Sequence, residues 1–313
     1  MKKVLLATTV LALTGTSALA EVVLSGSGRF GVQYIEDSGA DNDTYINTRL
    51  RFNIDASTET ASGVTFGGRI RLQYDNGDND GTEGGAELSA AKLYGEMMGF
   101  RVEVGNVDTA YDSAALMYNS EIGFIGTSFG NPSGSYYSFD SGPFGAGEFD
   151  RMGVAFSYGV ENFNVRLSYV DPDQFSDAGT EEISVGADYT FNQFTVSGAV
   201  ALDGAGIDGN DNFFLGGQYA LSDTANVGLL YFDNGEIGGV DVGNTITLYG
   251  NADFGNGVVG RAYVANNDND ANQSDLAFGI GADYDLGGAT LAGVIHRGYQ
   301  ENIVADLGVK FDF

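Results

Sequence analysis

Two short segments of the sequence place pairs of arginines at alternate positions between apolar residues. The first, TRLRF, contains Arg49 and Arg51, and the second, GRIRL, contains Arg69 and Arg71. A guanidinium group stays charged at physiological pH and binds anions or carboxylates through several N–H donors. The chain has 14 Lys and Arg against 43 Asp and Glu, and its formal net charge is −29. The concentration of scarce cations in these segments indicates an electrostatic function.

Residue types that carry covalent chemistry are almost absent. There is no cysteine, which excludes thiolate nucleophiles and disulfides, and His296 is the only histidine. A Ser–His arrangement at His296 would need partners that the sequence does not place, and no phosphate-binding glycine motif follows a strand and opens a helix. The negative charge opposes binding to nucleic acid. We therefore expect a protein that is not an enzyme and requires no cofactor.

One acidic segment has the spacing of a calcium-binding loop. In NGDNDGTEGGAE, the residues Asn76, Asp78, Asp80 and Glu87 occupy ligand positions, with Asn where the first Asp is usual. The flanking segments have strand patterns rather than the helices of an EF-hand, so a solvated acidic loop is the alternative that we favour. The sequence thus predicts at most an accessory Ca²⁺ site here.

The elements that hold the arginines have the pattern of β-strands. Apolar and polar residues alternate with period 2 in about 16 segments along the chain. Tight turns and long Asp/Asn/Gly-rich loops connect these segments in alternation, as in an antiparallel meander with all its short turns at one end. No run of 18 apolar residues follows the first 20, which excludes a transmembrane helix but not a membrane barrel.

We therefore predict an all-β fold, a transmembrane antiparallel barrel of about 16 strands. The alternative is a water-soluble barrel with aromatic residues in its core, but so many strands make a barrel too wide for side chains to fill. In a membrane, an arginine at mid-bilayer on the lipid face costs about 2 to 4 kcal/mol, so we expect Arg49 and Arg51 to face the lumen. The alternative function for these arginines is to neutralise acids on the lumen wall.

One connection is much longer than the others. After the strand segment FRVEVG, roughly forty residues pass before alternation resumes at Arg151. Such a long connection inside a compact fold is usually functional, and an excursion over the solvated surface is the alternative. Within it, TAYDSAALMYN is compatible with a short helix that begins at Thr109 or Asp112.

The first 20 residues have the composition of a secretory signal peptide. Lys2 and Lys3 precede the apolar run VLLATTVLAL, and Ala18 and Ala20 form an A-x-A pattern before Glu21. The apolar run is shorter than the roughly 20 residues of a spanning helix, which argues against a membrane anchor. We predict cleavage after Ala20 and a single barrel domain over residues 21–313.

Three segments carry a resemblance to a known family: EVVLSGSGRFGVQY, RVEVGNVDTAYDSAALMY, and the C-terminal ADYDLGGATLAGVIHRGYQENIVADLGVKFDF. With them the chain resembles the general diffusion porins of Gram-negative outer membranes, especially the alphaproteobacterial branch, from residue 21 to its end. The terminal Phe313, preceded by apolar residues at every second position, matches the pattern that the barrel-assembly machinery reads.

The resemblance implies a 16-stranded homotrimeric porin, surrounded by outer-membrane lipid and lipopolysaccharide, that lets ions and small hydrophilic solutes diffuse passively. It also implies that the third long loop folds inward, where its acidic residues face basic residues of the wall across the pore constriction. The basic side of this constriction would consist of Arg29, Arg49, Arg51, Arg69 and Arg71. The acidic side would consist of Asp108, Asp112 and Glu121, with Asp140, Glu148 and Asp150 as further acids of the loop.

The excess of acids over bases predicts a mild preference for cations, which salt would weaken by screening the field. Two alternatives remain at this stage. One is a substrate-specific outer-membrane channel with a saturable site in its lumen, and the other is a non-conducting structural or adhesin barrel.

Overall fold

The computed structural model describes residues 20–39, 41–76, 85–144, 150–176 and 179–313. The predicted leader, apart from Ala20, lies outside the described residues, as do Asp78, Asp80 and Glu148. The strands are β1 (Glu21–Ile35), β2 (Thr44–Glu59), β3 (Thr65–Asp75), β4 (Gly85–Leu88), β5 (Lys92–Met97), β6 (Phe100–Gly105), β7 (Met152–Val160), β8 (Phe163–Asp171), β9 (Glu182–Phe191), β10 (Phe194–Leu202), β11 (Asn212–Ser222), β12 (Ala225–Asp233), β13 (Glu236–Ile237), β14 (Val240–Asp241), β15 (Asn244–Gly255), β16 (Val258–Asn267), β17 (Leu276–Asp285), β18 (Thr290–Arg297) and β19 (Ile303–Asp312).

The strands form a closed antiparallel barrel. Consecutive strands of the wall pair with one another, β12 pairs with β15 across the small hairpin, and β1 also pairs with β19, which closes the sheet. The 17 strands of this sheet occupy 16 positions, because β4 and β5 both pair with β3 as one interrupted strand. The remaining pair, β13 and β14, forms a small separate hairpin. The predicted fold class and strand number are therefore confirmed.

The two ends of the barrel differ in their connections, as the sequence predicted. Two-residue turns join β7 to β8, β9 to β10 and β15 to β16, whereas long loops join the same strands to their other neighbours. The turn before β16 contains Asn256 and Gly257, both with positive φ. This is the backbone conformation of the tight hairpin turns that match the twist of paired strands.

The outer face of the wall is apolar and carries aromatic residues at both ends. At the end with the tight turns, Phe100 stacks on Tyr158 with ring centroids 4.2 Å apart. At the end with the long loops, Phe213 lies 6.1 Å from Tyr231. Leu93, between the two ends, is 62% exposed on this face. An apolar band between aromatic girdles is the surface that a membrane barrel presents to lipid.

The hydrophobic core lies inside the barrel, between the long loop after β6 and one side of the wall. Tyr111, Met117 and Phe124 of this loop are buried, and Phe214 and Phe232 of the wall are buried as well. The inner wall is thus apolar where the loop covers it, although a lumen wall is otherwise polar. The prediction that the long loop folds inward is confirmed.

The expected helix in this loop does not form. Residues 110–120 instead form successive turns, with bonds such as Met117 N–H to the Ala114 carbonyl. Side chains of the wall accept backbone N–H groups of the loop, including Ser168 for Ala110 at 2.9 Å. Because the wall satisfies some of these donors, the segment has fewer N–H groups left for a helical hydrogen-bond ladder. Among the described residues, no helix is long and apolar enough to cross a membrane.

Candidate functional site

Three cations lie side by side on adjacent strands of the lumen wall. Arg29 on β1 is paired with Arg49 on β2 and, on its other side, with Lys310 on β19. Arg29 and Arg49 each lie 3.8 Å from the carboxylate of Asp75 on β3. Lys310 lies 3.8 Å from Asp283, so the three cations have two carboxylates close by and the row keeps a net positive charge. We call Arg29, Arg49 and Lys310 the cation row.

Two members of the cation row also hold the loop. Arg29 Nη1 donates to the carbonyl of Ile125 at 2.5 Å, and Lys310 Nζ donates to the carbonyl of Gly123 at 3.2 Å. The backbone N–H of Phe124, between these two, donates to the carboxylate of Asp306 on β19 at 2.9 Å. The turn of residues 123–126 is therefore anchored to the wall by three side chains.

Arg51 lies one inward-facing position further along β2 than Arg49. Its Nε donates to Gln73 Oε1 at 2.7 Å, and Gln73 is its neighbour on β3. A neutral amide satisfies a donor without cancelling its charge. Arg51 therefore extends the positive surface toward the end of the barrel with the tight turns.

Arg69 and Arg71 have different surroundings. Arg69 binds Asp55 through two hydrogen bonds, of 2.7 and 3.1 Å, so its charge is neutralised on the wall. Arg71 donates to Asn53 at 2.9 Å and to Ser141 of the loop at 2.8 Å. Its guanidinium also lies 4.5 Å from the ring centroid of Phe139. The contacts of Arg69 favour the alternative function, in which an arginine neutralises an acid of the lumen wall. Arg71 instead holds the later part of the loop, near Ser141.

Among the predicted acids, Glu121 lies opposite the cation row. It lines a cavity of about 550 Å³ together with Arg29, Arg49 and Lys310. Its Oε1 accepts a hydrogen bond from Asn131 Nδ2 at 3.0 Å. Burial raises the pKa of Glu121 to about 7, and the Asn131 hydrogen bond and the three cations partly oppose this shift. The carboxyl group therefore titrates near neutral pH inside the cavity.

Asp108 lies at the base of the loop. Its carboxylate forms an ion pair with the buried Lys92 on β5, and Lys92 is also 3.4 Å from Glu103 on β6. These contacts join the start of the loop to two strands. Asp108 thus has a lysine as its direct partner rather than the arginine pairs.

Asp112 is held within the loop itself. Its Oδ1 accepts a hydrogen bond of 2.5 Å from the Tyr118 hydroxyl, which lies 2.8 Å from the Tyr136 hydroxyl. Burial raises the pKa of Asp112. In the part of the chain that the structure describes, no arginine forms an ion pair with Asp112.

Of the later acids, Asp140 bonds Asn106 through its backbone at the base of the loop, and the Asp150 carbonyl accepts from Gln174.

Sequence reasoning missed Lys310 and Asp75. Lys310 completes the cation row, and Asp75 partly balances its charge. Lys310 occupies an inward position in the last strand, and closure of the barrel makes that strand the neighbour of β1. Asp75 is the residue that pairs with Arg49 across β2 and β3. Barrel closure and strand register, applied together, would have identified both residues.

The acidic segment after β3 is only partly described. Asn76 Oδ1 accepts from the Thr48 N–H at 2.5 Å and its Nδ2 donates to the Ile46 carbonyl at 3.1 Å, while Glu87 lies on β4 opposite Gln73. Asp78 and Asp80 lie outside the described residues. Within the described ranges, no three His, Cys, Asp or Glu residues are grouped to hold a metal ion. The Ca²⁺ site therefore stays a prediction.

His296 has a packing role. It is buried on β18, where its Nδ1 lies 2.8 Å from the Tyr263 hydroxyl and its ring packs edge-on against Phe129 of the loop. Tyr263 also accepts the backbone N–H of Phe129 at 3.0 Å. These contacts join the loop to the wall and form no Ser–His–acid arrangement.

Comparisons with known proteins agree with this arrangement. A protein-family model described as Gram-negative porin matches residues 7–302. The chain is 44% identical to the porin of Fuscovulum blasticum over 299 residues, which covers 94% of this chain and 100% of that one. It is 30% identical to the porin of Rhodobacter capsulatus over 322 residues, with the same two coverages.

Solved structures extend the similarity to the fold. Two mutant forms of the Rhodopseudomonas blastica porin are 42% and 41% identical to this chain. Each superposes with a TM-score of 0.86 and covers 93% of this chain and 100% of its own. The resemblance inferred from the sequence is confirmed.

Proposed function

This chain belongs to the Gram-negative porin family and forms an outer-membrane diffusion channel, and from that premise we propose how its pore selects solutes. The narrowest passage lies between Glu121 on the inward loop and the cation row of Arg29, Arg49 and Lys310. The observation that carries this proposal is the 550 Å³ cavity that these four side chains line together. Opposite charges across a water-filled gap produce a transverse field, which acts on ions and dipolar solutes in transit.

The same pore is mildly cation-selective in this proposal. Several of the 14 basic residues are neutralised by acids: Arg69 by Asp55, Arg101 by Glu96 and Glu103, Arg166 by Asp188, and Arg261 by Asp283. The large excess of acids then sets the sign of the average potential. A net negative lumen raises the local concentration of cations and lowers that of anions.

Reconstitution into planar bilayers tests this proposal. In a gradient of KCl we expect a reversal potential whose sign shows that K⁺ permeates better than Cl⁻. The potential should be larger at about 0.1 M salt than at 1 M, because the Debye length at 1 M is only about 3 Å. Anion preference at low salt would contradict the proposed selectivity. Barrels that insert without conducting would instead support the structural or adhesin alternative.

We also propose that the chain works as a homotrimer. The shortness of β6 supports this. β6 has six residues and spans only about 20 Å, whereas a strand that crosses a membrane needs about 9 to 11 residues. The interrupted strand β4 and β5 lies beside it, so this side of the wall is low. A partner subunit against this side would keep lipid away from the edge of the low wall.

We further propose that the chain is exported by a cleaved signal peptide and contacts lipopolysaccharide. Residues 1–20 are removed as a signal peptide, and the acidic loops contact lipopolysaccharide, with Ca²⁺ as the bridging ion where needed. No resident cofactor takes part in diffusion, and the channel carries out no covalent chemistry. N-terminal sequencing of protein purified from outer membranes should start at Glu21, and a sequence that starts at Met1 would contradict the cleavage.

A further inference from the structure

A second cavity, of about 490 Å³, adjoins the first beneath the loop. The two cavities share Glu121, Gly126 and Lys310 as lining residues. The rest of the second cavity is lined mainly by amide side chains, unlike the first cavity. The amides are Asn119 of the loop and Gln218, Asn226 and Asn251 on β11, β12 and β15.

These amides are fixed in place by one another and by their neighbours. Asn119 Nδ2 donates to Gln218 Oε1 at 3.2 Å, and the Tyr249 hydroxyl donates to the same oxygen at 2.8 Å. Asn251 Nδ2 donates to Asn226 Oδ1 at 3.2 Å. Side chains held by such a network keep their orientation without a solute, which lowers the entropy lost on binding.

The network leaves both donors and acceptors free. Gln218 Oε1 and Asn226 Oδ1 accept the bonds above, and across the described ranges no residue accepts from Gln218 Nε2 or Asn226 Nδ2. Asn119 uses its Nδ2, and no described residue donates to its Oδ1. All three side chains are half-buried at the cavity surface. A hydroxyl group, which donates and accepts at once, matches such a mixed surface.

The two cations that line this cavity, Arg261 and Lys310, both have a carboxylate close by. Arg261 donates to Asp283 at 2.9 Å and to Asn251 at 3.3 Å, so its guanidinium is occupied. Lys310 lies 3.8 Å from the same Asp283 carboxylate, and Glu121 is an acid of the lining. A site for an anion or a cation would instead present several groups of one sign.

We propose that this cavity is a weak, saturable subsite for neutral polyhydroxylated solutes, the chemical class of small sugars and polyols. The inference rests on the diffusion-channel function and adds a solute class to it. A volume of 490 Å³ is within the range of small-molecule sites, about 300 to 1,000 Å³. The subsite lies beside the constriction, so a sugar bound there reduces the passage of ions while it stays.

Sugar-induced reduction of the ion current tests the proposal. The full-length channel is reconstituted in planar bilayers, and glucose or maltose is titrated against a polyethylene glycol of similar size. The glycol has ether oxygens that accept hydrogen bonds along its length but donors only at its ends. We expect the sugar effect to saturate with concentration, whereas the glycol effect rises without saturation.

Replacing the free donors should weaken the sugar effect selectively. The double variant Gln218→Ala and Asn226→Ala removes two donors, so we expect the half-saturating sugar concentration to rise by at least about fivefold. Asn164→Ala is the matched control, because this amide lies at another part of the lumen, near Arg101 and the tight turns. Its half-saturating concentration should stay unchanged.

Three outcomes separate this inference from the channel function. Ion currents that fall in the same unsaturated way with sugar and with glycol would overturn the subsite and leave the channel function intact. Equal half-saturation in the double variant and the unmodified channel would also overturn it. Absence of any ion current would instead contradict the diffusion channel itself.

Discussion

At the residue scale, the arginines that look alike in the sequence have different surroundings. Arg49 and Arg69 occupy equivalent alternating patterns, yet Arg69 has a full carboxylate partner in Asp55, whereas Arg49 shares Asp75 with Arg29. The alternation predicts which side of the wall a residue faces. It cannot predict its ion partner, because that depends on the register between strands.

The first prediction compares these two arginines. Arg49→Gln removes a charge that is only partly balanced at the constriction, so we expect the permeability ratio of K⁺ to Cl⁻ to rise by about two- to fivefold. Arg69→Gln is the control with the same change in net charge, and its effect should be smaller because Asp55 already neutralises Arg69. Reversal potentials at about 0.1 M salt measure both ratios. Equal effects of the two substitutions would contradict the placement of Arg49.

The second prediction concerns the pH dependence of selectivity. Burial raises the pKa of Glu121 to about 7, so the carboxyl group is neutral below that pH and charged above it. Cation preference should therefore increase as the pH rises from about 6 to about 8. Reversal potentials recorded across this pH range provide the measurement.

The matched variant for this prediction is Glu121→Gln, which has no titrating group. It should show the weaker cation preference of the low-pH channel at every pH between about 6 and 8. If the unmodified channel has the same selectivity at both ends of the range, the assigned role of Glu121 is wrong.

At the element scale, alternation predicted the strands well because lipid imposes an apolar outer face on each of them. It gave no sign of the inner face beneath the loop, where Phe214 and Phe232 stack with ring centroids 5.0 Å apart. Both residues occupy inward positions of their strands, where polar residues are expected, but they pack against the loop. The inward loop was expected from its length and the family resemblance, whereas its turns depend on contacts with the wall that a sequence does not show.

The third prediction tests how the wall holds the loop. Asp306→Ala removes the acceptor of the Phe124 N–H, and an unsatisfied buried donor costs about 1 to 3 kcal/mol. We expect more frequent voltage-induced closures and a noisier open current. Single-channel recording at increasing voltage measures both.

The control for this variant is Glu59→Ala, which removes the same charge from an exposed position at the end of β2. Its recordings should resemble those of the unmodified channel. A quiet current in Asp306→Ala would show that the turn of residues 123–126 does not depend on this anchor.

At the scale of the whole molecule, the fold is a membrane barrel with a low wall at β4 to β6 and a loop packed against much of the remaining wall. Length, turn spacing and the apolar outer face sufficed to predict the barrel and its number of strands. The low wall was not predicted, because the alternation does not show the interruption at residues 89–91, where the Ser89 N–H and Oγ both bond the backbone of Arg71.

The fourth prediction follows from the low wall. If three subunits shield one another at β4 to β6, each insertion into a bilayer should close in three equal conductance steps. Leu93→Arg places a charge on the outer face of β5, where Leu93 is 62% exposed, and should reduce the yield of trimers. Leu93→Met at the same position is the control, because it keeps this face apolar. Single closing steps from the unmodified protein would contradict the trimer.

The most direct test of the constriction uses the absence of native cysteine. A single cysteine introduced by Glu121→Cys is treated with a cationic thiol reagent during recording, and Asp112→Cys, at an acid held within the loop, is the control. We predict that the reagent lowers the open-channel K⁺ current of the Glu121→Cys variant sharply and reduces its cation preference, with little change in the control. An unchanged current in the Glu121→Cys variant, with modification verified by mass, would contradict the placement of Glu121 opposite the cation row.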